Sequence, residues 1–321
     1  MRILTSFVAA LFLLAGAASV SAQTKRVALV LPGPITDGTF NSAAHNGIEA
    51  AKAKYDIEVS VRENTDFAQI PEVLRTYAEE GYDVIIGHGF QFAEPVLEMH
   101  AQYPDTWFIV NTARVQAEPN VASFDNRWGH AGYIAGAVAA LYSKSGTIGH
   151  VGGIPVPVIE DYNSGFERGA KRVDPDVKVL SAYVGSFTDI ARGAEITTSL
   201  IEQGADVVTS TGNENVIGTI QAAQKAGVHA IGTAFDSHAA APDTVITTAL
   251  INMDVNIDMA IGRIIAGTIE PKSYILGIEE NGIGLAPFRN FEDAFSAEEK
   301  ATVDEVIADI KAGKIEEQQQ P

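Results

Sequence analysis

The feature that most constrains the fold of this chain is an apolar run, Val27 to Leu31, followed at once by a loop rich in proline and glycine. An apolar run of this length without alternation is typical of a strand buried on both faces of a parallel sheet. The prolines and glycines between residues 32 and 38 end the strand, and small and apolar residues recur at helical spacing from Asn41. The segment therefore predicts a strand, a loop and a helix in direct succession.

The loop between this strand and helix is a candidate ligand site. In open α/β sheets, ligands bind beyond the carboxyl ends of the strands, where a helix N-terminus presents unpaired N–H groups. The loop is longer than the usual connection of about two to six residues, and such loops are often functional. It carries a carboxylate, Asp37, and an aromatic ring, Phe40. A simpler alternative stays open, in which Asp37 or Thr39 only caps the helix and Phe40 only packs.

The same succession of strand and helix recurs along the chain. A first cycle ends with the helical run Gly129 to Tyr142, and a second cycle begins at Thr147. Strands that alternate with helices at this spacing indicate a parallel sheet with helices on both faces. The chain also exceeds the size at which one core usually keeps growing. The sequence therefore predicts an α/β fold in two similar, doubly wound halves, followed by a charged helix from Ser296 and a disordered end, EEQQQP.

Residues 1–22 have the pattern of a secretory signal peptide. Arg2 precedes an apolar stretch, and Val20-Ser21-Ala22 fits a small-residue cleavage site. The chain contains no cysteine, so no lipid can be attached at a cleavage-site cysteine. We expect a periplasmic protein, cleaved after Ala22 and without a lipid anchor.

The charge of the chain excludes some classes of partner. The sequence has 22 Lys+Arg and 41 Asp+Glu, a net charge of −19, and removal of the leader with its single arginine makes this −20. Nucleic acids and anionic membranes are bound through basic patches. We therefore expect no nucleic-acid or membrane partner, and an acidic surface that serves mainly solubility.

Polar side chains follow several predicted strands at the point where each strand ends. They include Asp37, His88 and Asn111 in the first half, and Asn213 and Asp236 in the second. Each alone is explained most simply as a cap or turn residue. Together they indicate a cleft between two domains, because the carboxyl ends of parallel strands meet at one edge of a sheet.

The sequence lacks the motifs of common enzyme chemistry. It contains no G-x-x-x-x-G-K-[ST] phosphate loop, no complete dinucleotide fingerprint and no G-x-S-x-G around a serine. Its histidines are not spaced as zinc ligands. The interpretation we favour is a binding protein rather than an enzyme, with no cofactor, metal or catalytic residue.

Two stretches of the chain carry a family resemblance. Asp37-Gly38-Thr39-Phe40-Asn41 with Gly47 is similar to D-x-S-F-N…G, and the stretch from Tyr183 to Asp189 reads Y-V-G-S-F-T-D. Both are similar to motifs of the basic membrane protein family, the nucleoside-receptor-like solute-binding proteins of ABC importers. Further segments agree in order and spacing over nearly the whole mature chain.

The resemblance implies the fold of a type I periplasmic binding protein, in which two Rossmann-like lobes are joined by a three-stranded hinge and close on a ligand. The N-terminal lobe would cover residues 27–118 and 239–275. The C-terminal lobe would cover residues 124–233 and 283–321. The hinge crossings would lie near residues 112–124, 234–238 and 276–286.

The resemblance also implies how the ligand is held. Phe40 and Phe187 would form the two faces of an aromatic clamp, and Asp37, Asn41 and Asn111 would read the edge of a flat ring. Asn111 occupies a position where the family often has an aspartate. An amide both donates and accepts, so the pattern of donors and acceptors required of the ligand should differ. The expected ligand-binding residues are Asp37, Phe40, Asn41, His88, Asn111, Trp128, Phe187, Asn213 and Asp236.

Two departures from the family concern the sugar of a nucleoside. The family places an aspartate where this chain has Ala234 and a lysine where it has Ile251, and both charged residues face the sugar. Trp128 and Phe235 add aromatic surface that the family does not require. The expected cleft is therefore flatter and less equipped for ribose.

The resulting expectation is a periplasmic solute-binding protein that delivers a purine base or related flat heterocycle to an ABC permease of the inner membrane, acting as a monomer. A nucleoside or sugar binder of the same fold is the main alternative. An exported nucleoside hydrolase and a receptor that presents its liganded form to a membrane sensor also remain open.

Overall fold

The computed structural model describes residues 24–317, and the predicted signal peptide, residues 1–22, lies outside the described residues. In this part of the chain the strands are β1 (Lys25–Val30), β2 (Ile57–Arg62), β3 (Val84–His88), β4 (Trp107–Asn111), β5 (Val121–Asn126), β6 (Thr147–Gly152), β7 (Lys178–Tyr183), β8 (Val207–Thr211), β9 (His229–Ala234), β10 (Val245–Ile251), β11 (Ser273–Leu276) and β12 (Ile283–Leu285). The α-helices are α1 (Phe40–Lys54), α2 (Ile70–Glu79), α3 (Ala93–Met99), α4 (Trp128–Tyr142), α5 (Pro157–Val173), α6 (Ile190–Glu202), α7 (Asn215–Ala226), α8 (Met253–Ile265) and α9 (Ala297–Lys311). From residue 24 to residue 317, no helix combines the length and the apolar character needed to cross a bilayer.

The strands form two six-stranded sheets of the same construction. The first has the order β11-β5-β4-β3-β1-β2, and the second has the order β12-β10-β9-β8-β6-β7. Neighbouring strands are parallel, except that β12 runs antiparallel to β10. The predicted α/β fold with two doubly wound sheets is confirmed.

The predicted first strand is buried as expected. Val27 lies opposite Val59 of β2 on one side and Val84 of β3 on the other. The whole run from Val27 to Leu31 has no exposed surface. Its backbone groups pair on both edges while helices cover both faces, which is why every side chain in the run is apolar.

Helices cover both faces of each sheet and complete four apolar layers. In the first sheet, Val27 and Leu29 pack with α1 and α8, while Ala28 and Val30 pack with α2 and α3. In the second sheet, α4 and α5 cover one face and α6 and α7 cover the other. Because successive side chains of a strand point to opposite faces of the sheet, each strand contributes to two apolar cores, one on each face.

Glycine permits the close approach of α4 and α5. A Cβ atom added to Gly136 would lie 1.9 Å from the carbonyl oxygen of Phe166. One added to Gly169 would lie 1.9 Å from the carbonyl oxygen of Tyr133. Since these distances are far inside van der Waals contact, any larger residue would push the helices apart, and α4 is held rigidly at the point where the chain enters the second sheet.

The chain passes between the sheets three times, and two passages differ from the predicted boundaries. They lie between β5 and α4, between β10 and α8, and between β11 and β12. Because β5 belongs to the first sheet, the first passage follows residue 126 instead of lying at 112–124. Because β10 pairs with β9 and β12, residues 245–251 belong to the second sheet, and the passage comes after them rather than at 234–238. An apolar pattern marks a buried strand, but long-range pairing decides which sheet it joins.

Glu317, at the start of the C-terminal end, differs from its prediction. Residues 318–321 lie outside the described residues, but Glu317 belongs to an ordered segment, and its side chain is 2% exposed. Its Oε1 accepts a hydrogen bond from the backbone N–H of Gly129 at 3.1 Å, and its Oε2 lies 3.4 Å from the Arg114 guanidinium. Composition suggested disorder there, whereas a buried ion pair and the uncapped start of α4 fix the residue.

Candidate ligand site

A cavity of about 320 Å³ lies between the two sheets, at the carboxyl ends of strands from both. Loops that follow β1, β2, β3 and β4 form one side, and loops that follow β6, β7 and β8 form the other. The lining residues are Pro32, Gly33, Pro34, Phe40, Asn41, Asn64, Phe67, Gly89, Phe90, Gln91, Thr112, Trp128, Val156, Val158, Ile159, Phe187, Thr188, Gly212, Asn213 and Glu214. The position agrees with the rule that open α/β sheets bind ligands at this edge.

Five of the nine predicted ligand-binding residues line this cavity, and four do not. The five are Phe40, Asn41, Trp128, Phe187 and Asn213. The other four are Asp37, His88, Asn111 and Asp236, which the structure places beneath or beside the cavity.

Asp37 holds the turn that precedes α1. Its carboxylate accepts hydrogen bonds from the backbone N–H groups of Thr39, Asn41 and Ser42, each at 2.9 Å. Burial by itself would raise the pKa of Asp37, but these N–H donors outweigh it and the pKa is lowered. The Asp37 carboxylate is therefore occupied by backbone N–H groups at the start of α1. This agrees with the simpler alternative that Asp37 caps the helix.

Asn41 is fixed by the same turn and still reaches the cavity. Its Oδ1 accepts from the backbone N–H of Gly33 at 3.3 Å, and its Nδ2 donates to Asp37 at 2.8 Å. A Cβ atom on Gly33 would lie 2.6 Å from that Nδ2, so the close approach requires glycine. An amide held in this way keeps one N–H and one lone pair for a ligand.

His88 supports Phe40 from below. The two rings are stacked with centroids 3.8 Å apart, and His88 is completely buried. Burial lowers the pKa of His88 to about 4, so the imidazole is neutral at pH 7. Its Nδ1 lies 3.1 Å from the Nδ2 of Asn111, which can only donate, so Nε2 carries the proton and donates to the Phe40 carbonyl at 2.9 Å.

Asn111 belongs to a buried chain of amides that runs from His88 to the passages between the sheets. Its Oδ1 accepts from Asn256 at 2.8 Å, and Asn256 in turn donates to Asn126 at 2.8 Å. Asn126 donates to the carbonyl of Gly282 at 2.7 Å. We call Asn111, Asn256 and Asn126 the amide chain. Because its amide is occupied by these bonds, Asn111 influences the cavity only indirectly, by fixing His88, which supports Phe40.

The opposite wall is built around Phe187. A Cβ atom on Gly153 would lie 2.4 Å from Cδ1 of this ring, so the ring rests directly on backbone. The Phe187 carbonyl accepts from the backbone N–H groups of Asn213 and Asn215, each at 3.2 Å. These contacts fix the loop after β7 against the loop after β8.

Trp128 enters the cavity lining from the start of α4 and is anchored by a buried ion pair. Its Nε1 donates to Asp125 at 3.0 Å, and Asp125 also receives the Nε–H of Arg114 at 2.9 Å. Burial raises the pKa of Asp125, and the nearby Arg114 guanidinium opposes this rise. Asp161 and Glu317 also lie near Arg114, so the pair joins elements of both halves.

Asp236 and Asp37 lie in a neighbouring groove that also contains Phe235. Asp236 forms a two-point ion pair with Arg289, which lowers the pKa of the carboxyl. Ala234 and Ile251, the two positions that the resemblance aligns with a charged pair facing a sugar, are also absent from the cavity lining. Ile251 is 1% exposed in the core of the second sheet.

Sequence reasoning missed several lining residues. Phe90, Gln91 and Glu214 directly follow strands, so the rule used for His88 and Asn213 could have found them. Thr112 adopts a positive φ of 69°, which no residue pattern signals. Phe67 lies in a short helix in the loop after β2. It is 66% exposed, and its ring centroid is 6.2 Å from that of Phe90.

A protein-family comparison matches almost all of the described chain. The family is described as ABC transporter substrate-binding protein PnrA-like, and the match covers residues 24–319.

Individual proteins agree with this comparison. A purine-binding protein of Brucella abortus (strain 2308) is 30% identical over 311 residues, covering 95% of this chain and 85% of the relative. Basic membrane protein A of Borreliella afzelii is 26% identical over 305 residues, covering 91% and 94%. A crystal structure of a solute-binding protein of an ABC transporter system from Aeropyrum pernix K1 superposes with a TM-score of 0.84 at 22% identity, covering 91% of this chain and 92% of that one.

Proposed function

Because this chain belongs to the PnrA-like family of ABC transporter substrate-binding proteins, we propose that it binds a purine base or a closely related flat heterocycle in the cavity between its sheets. Members of this family bind a small molecule and pass it to a transporter permease. We further propose that this protein does so in the periplasm, as a monomer, for an ABC importer of the inner membrane.

The observation that carries the proposal is the aromatic lining contributed by both sides of the cavity. Phe40 and Phe90 come from the first side, Phe187 comes from the second, and Trp128 lies at the start of α4. Stacking of a base on an aromatic ring is worth about 1–3 kcal/mol per contact and does not depend on base identity. A flat ring between such side chains gains on both of its faces. The purine-binding relative from Brucella abortus supports the same ligand class.

Charge in the lining argues against phosphorylated ligands. Counting only residues 24–317, no lysine or arginine lines the cavity, and its one charged side chain is the carboxylate of Glu214. Phosphate groups are normally held by arginine, lysine or a helix N-terminus, and a carboxylate among the lining residues repels them. A base or nucleoside therefore fits this lining better than a nucleotide.

The size of the cavity favours the base over the nucleoside. The cavity volume of about 320 Å³ lies at the lower end of the range for ligand pockets, roughly 300–1,000 Å³. Each ribose hydroxyl that is buried in the cavity without a partner would cost about a further 1–3 kcal/mol. We expect adenine or a related purine base to bind at least about tenfold, or 1.4 kcal/mol, tighter than its nucleoside.

A thermal-shift panel of bases, nucleosides, pentoses and hexoses tests this prediction on protein that has been stripped of ligand by unfolding and refolding. A ligand at 100 times its Kd adds roughly 2.7 kcal/mol of stability, which is readily detected. Calorimetry then ranks the ligands that stabilise the protein, and release of base from adenosine or inosine tests for a hydrolase. Stabilisation by adenosine but not adenine would reverse the ranking. Stabilisation by a sugar alone would overturn the purine proposal.

A further inference from the structure

Glu214 is a carboxylate in an otherwise uncharged lining. It lies between β8 and α7 and faces the cavity beside Asn213. Its Oε2 is covered from solvent and has no hydrogen-bond partner within the described residues. Over the same range, no lysine, arginine or histidine lies within ion-pair distance of its carboxylate oxygens, whereas Asp37 and Asp236 are both fully engaged in bonds of their own.

The position of Glu214 allows a carboxylate without a cationic partner. The residue directly precedes the 12-residue helix α7, whose first N–H groups give this end of the helix a partial positive charge. Glu214 does not use its side chain to cap the helix, since it forms no side-chain cap hydrogen bond. The carboxylate is therefore placed by the helix at the wall of the cavity, and its Oε2 has no partner among the described residues.

An ionised carboxylate accepts hydrogen bonds and donates none. A covered acceptor without a partner is uncommon in folded proteins and requires an explanation. A ligand group that approaches this carboxylate from the cavity must therefore be a donor. A ring edge that presents only carbonyl oxygens or unprotonated ring nitrogens would place a second acceptor next to the Glu214 carboxylate, and the two would repel each other.

We propose that Glu214 selects ligands that present an amino group to it, so that the ligand of this cavity is an aminopurine. The inference rests on the proposed purine-binding function and adds to it the donor edge of the ligand. Hydrogen bonds in which the acceptor is ionised are stronger than neutral ones, so the amino group should contribute measurably to selectivity.

Two pairs of ligands isolate the amino group. Adenine differs from unsubstituted purine, and guanine differs from hypoxanthine, only by one exocyclic amino group. The affinities of all four are measured by calorimetry for the full mature chain and for Glu214→Met, which keeps the length of the side chain but removes both acceptors. Glu202→Met, an exposed change at the end of α6 with the same effect on net charge, is the matched control.

We expect the unaltered protein to prefer the amino member of at least one pair by about tenfold. Glu214→Met should reduce that preference to less than about twofold, and Glu202→Met should retain it. If Glu214→Met fails to fold by circular dichroism, Glu214→Gln replaces it. That variant keeps one acceptor without the charge and should show an intermediate preference.

Two results would overturn the inference, and they are distinguishable. If the unaltered protein binds these bases but its preference is the same in the Glu214 variants, the carboxylate is met by water or by the ring N–H that all four bases carry, and the inference alone fails. If the unaltered protein binds none of the four, the proposed function fails together with it.

Discussion

At the scale of single residues, the rings of Phe40 and Phe187 reach the same cavity from different sheets. Phe40 rests on the buried imidazole of His88, and Phe187 rests on the backbone of Gly153. Both supports are rigid, because one is a fully buried side chain and the other is main chain. Rings held in this way lose little further freedom when a ligand binds, which is the condition for tight stacking.

Removal of either ring should weaken binding without unfolding the protein. We expect Phe40→Ala and Phe187→Ala each to reduce affinity by about 1–3 kcal/mol, or about 5- to 150-fold, because one stacking face is lost. Isothermal calorimetry with the ligand identified by the thermal-shift panel measures the effect. Phe67→Ala is the control, since this ring is largely exposed at the rim and should contribute less. Unchanged affinity for Phe40→Ala or Phe187→Ala would show that the ring in question only packs.

At the scale of secondary structure, the amide chain connects α8 to β4, β5 and the segment before β12. Asn256 of α8 donates to Asn111 and to Asn126, and all three side chains are at most 1% exposed. Each of these amides satisfies a buried acceptor that no water can reach. The chain therefore fixes His88, and through it Phe40, relative to the passages between the sheets.

Replacement of the central amide should destabilise the protein and loosen the site. Asn256→Leu keeps the volume of the side chain but leaves the Oδ1 atoms of Asn111 and Asn126 without their donor. Each buried acceptor left unpaired costs about 1–3 kcal/mol, so we expect the free energy of unfolding to fall by at least about 2 kcal/mol.

Urea unfolding measures this loss, and calorimetry on the folded variant should show weaker binding as well. Asn290→Leu removes an exposed amide whose hydrogen bond to Pro242 is 3.5 Å long, and it should leave both quantities within about 0.5 kcal/mol. A loss of stability in Asn256→Leu with unchanged affinity would show that the amide chain does not position Phe40.

At the scale of the whole molecule, the cavity is incomplete in either half alone. Its aromatic faces come from both halves, and three passages of the chain connect them. The ion pairs of Arg114 with Asp125, Asp161 and Glu317 lie beside these passages. This arrangement suits two rigid bodies that close on a ligand about short connecting segments.

Ligand should therefore make the protein more compact. We expect the radius of gyration from small-angle X-ray scattering to decrease at saturating ligand, starting from protein shown to be empty by native mass spectrometry. The double variant Phe40→Ala, Phe187→Ala is the control and should not become more compact at the same ligand concentration. No change for the unaltered protein would contradict closure by movement of the two halves.

Local sequence patterns predicted much of the fold of this molecule. The buried run from Val27 to Leu31, the repeated alternation of strands and helices, and the placement of polar and aromatic residues after strand ends all follow from side-chain periodicity and backbone pairing. These patterns predicted the two α/β halves, the loop that carries Phe40, and the lining position Asn213, whereas Asn41 and Phe187 came from the family resemblance. The family motifs lie in the same loops, so they supported the prediction of a ligand site there.

Tertiary structure alone decided which strands pair and which polar atoms remain free. The strand from Val245 to Ile251 looks like any buried strand, and only its pairing with β9 and β12 assigns it to the second sheet. Asp37, His88 and Asn111 are correctly placed after strand ends, yet their hydrogen bonds are used by the protein itself. Glu214 was overlooked, and its Oε2 is an acceptor without a partner among the described residues. Sequence position determines which groups reach an edge of the sheet, whereas long-range hydrogen bonding determines which of them are left for a ligand.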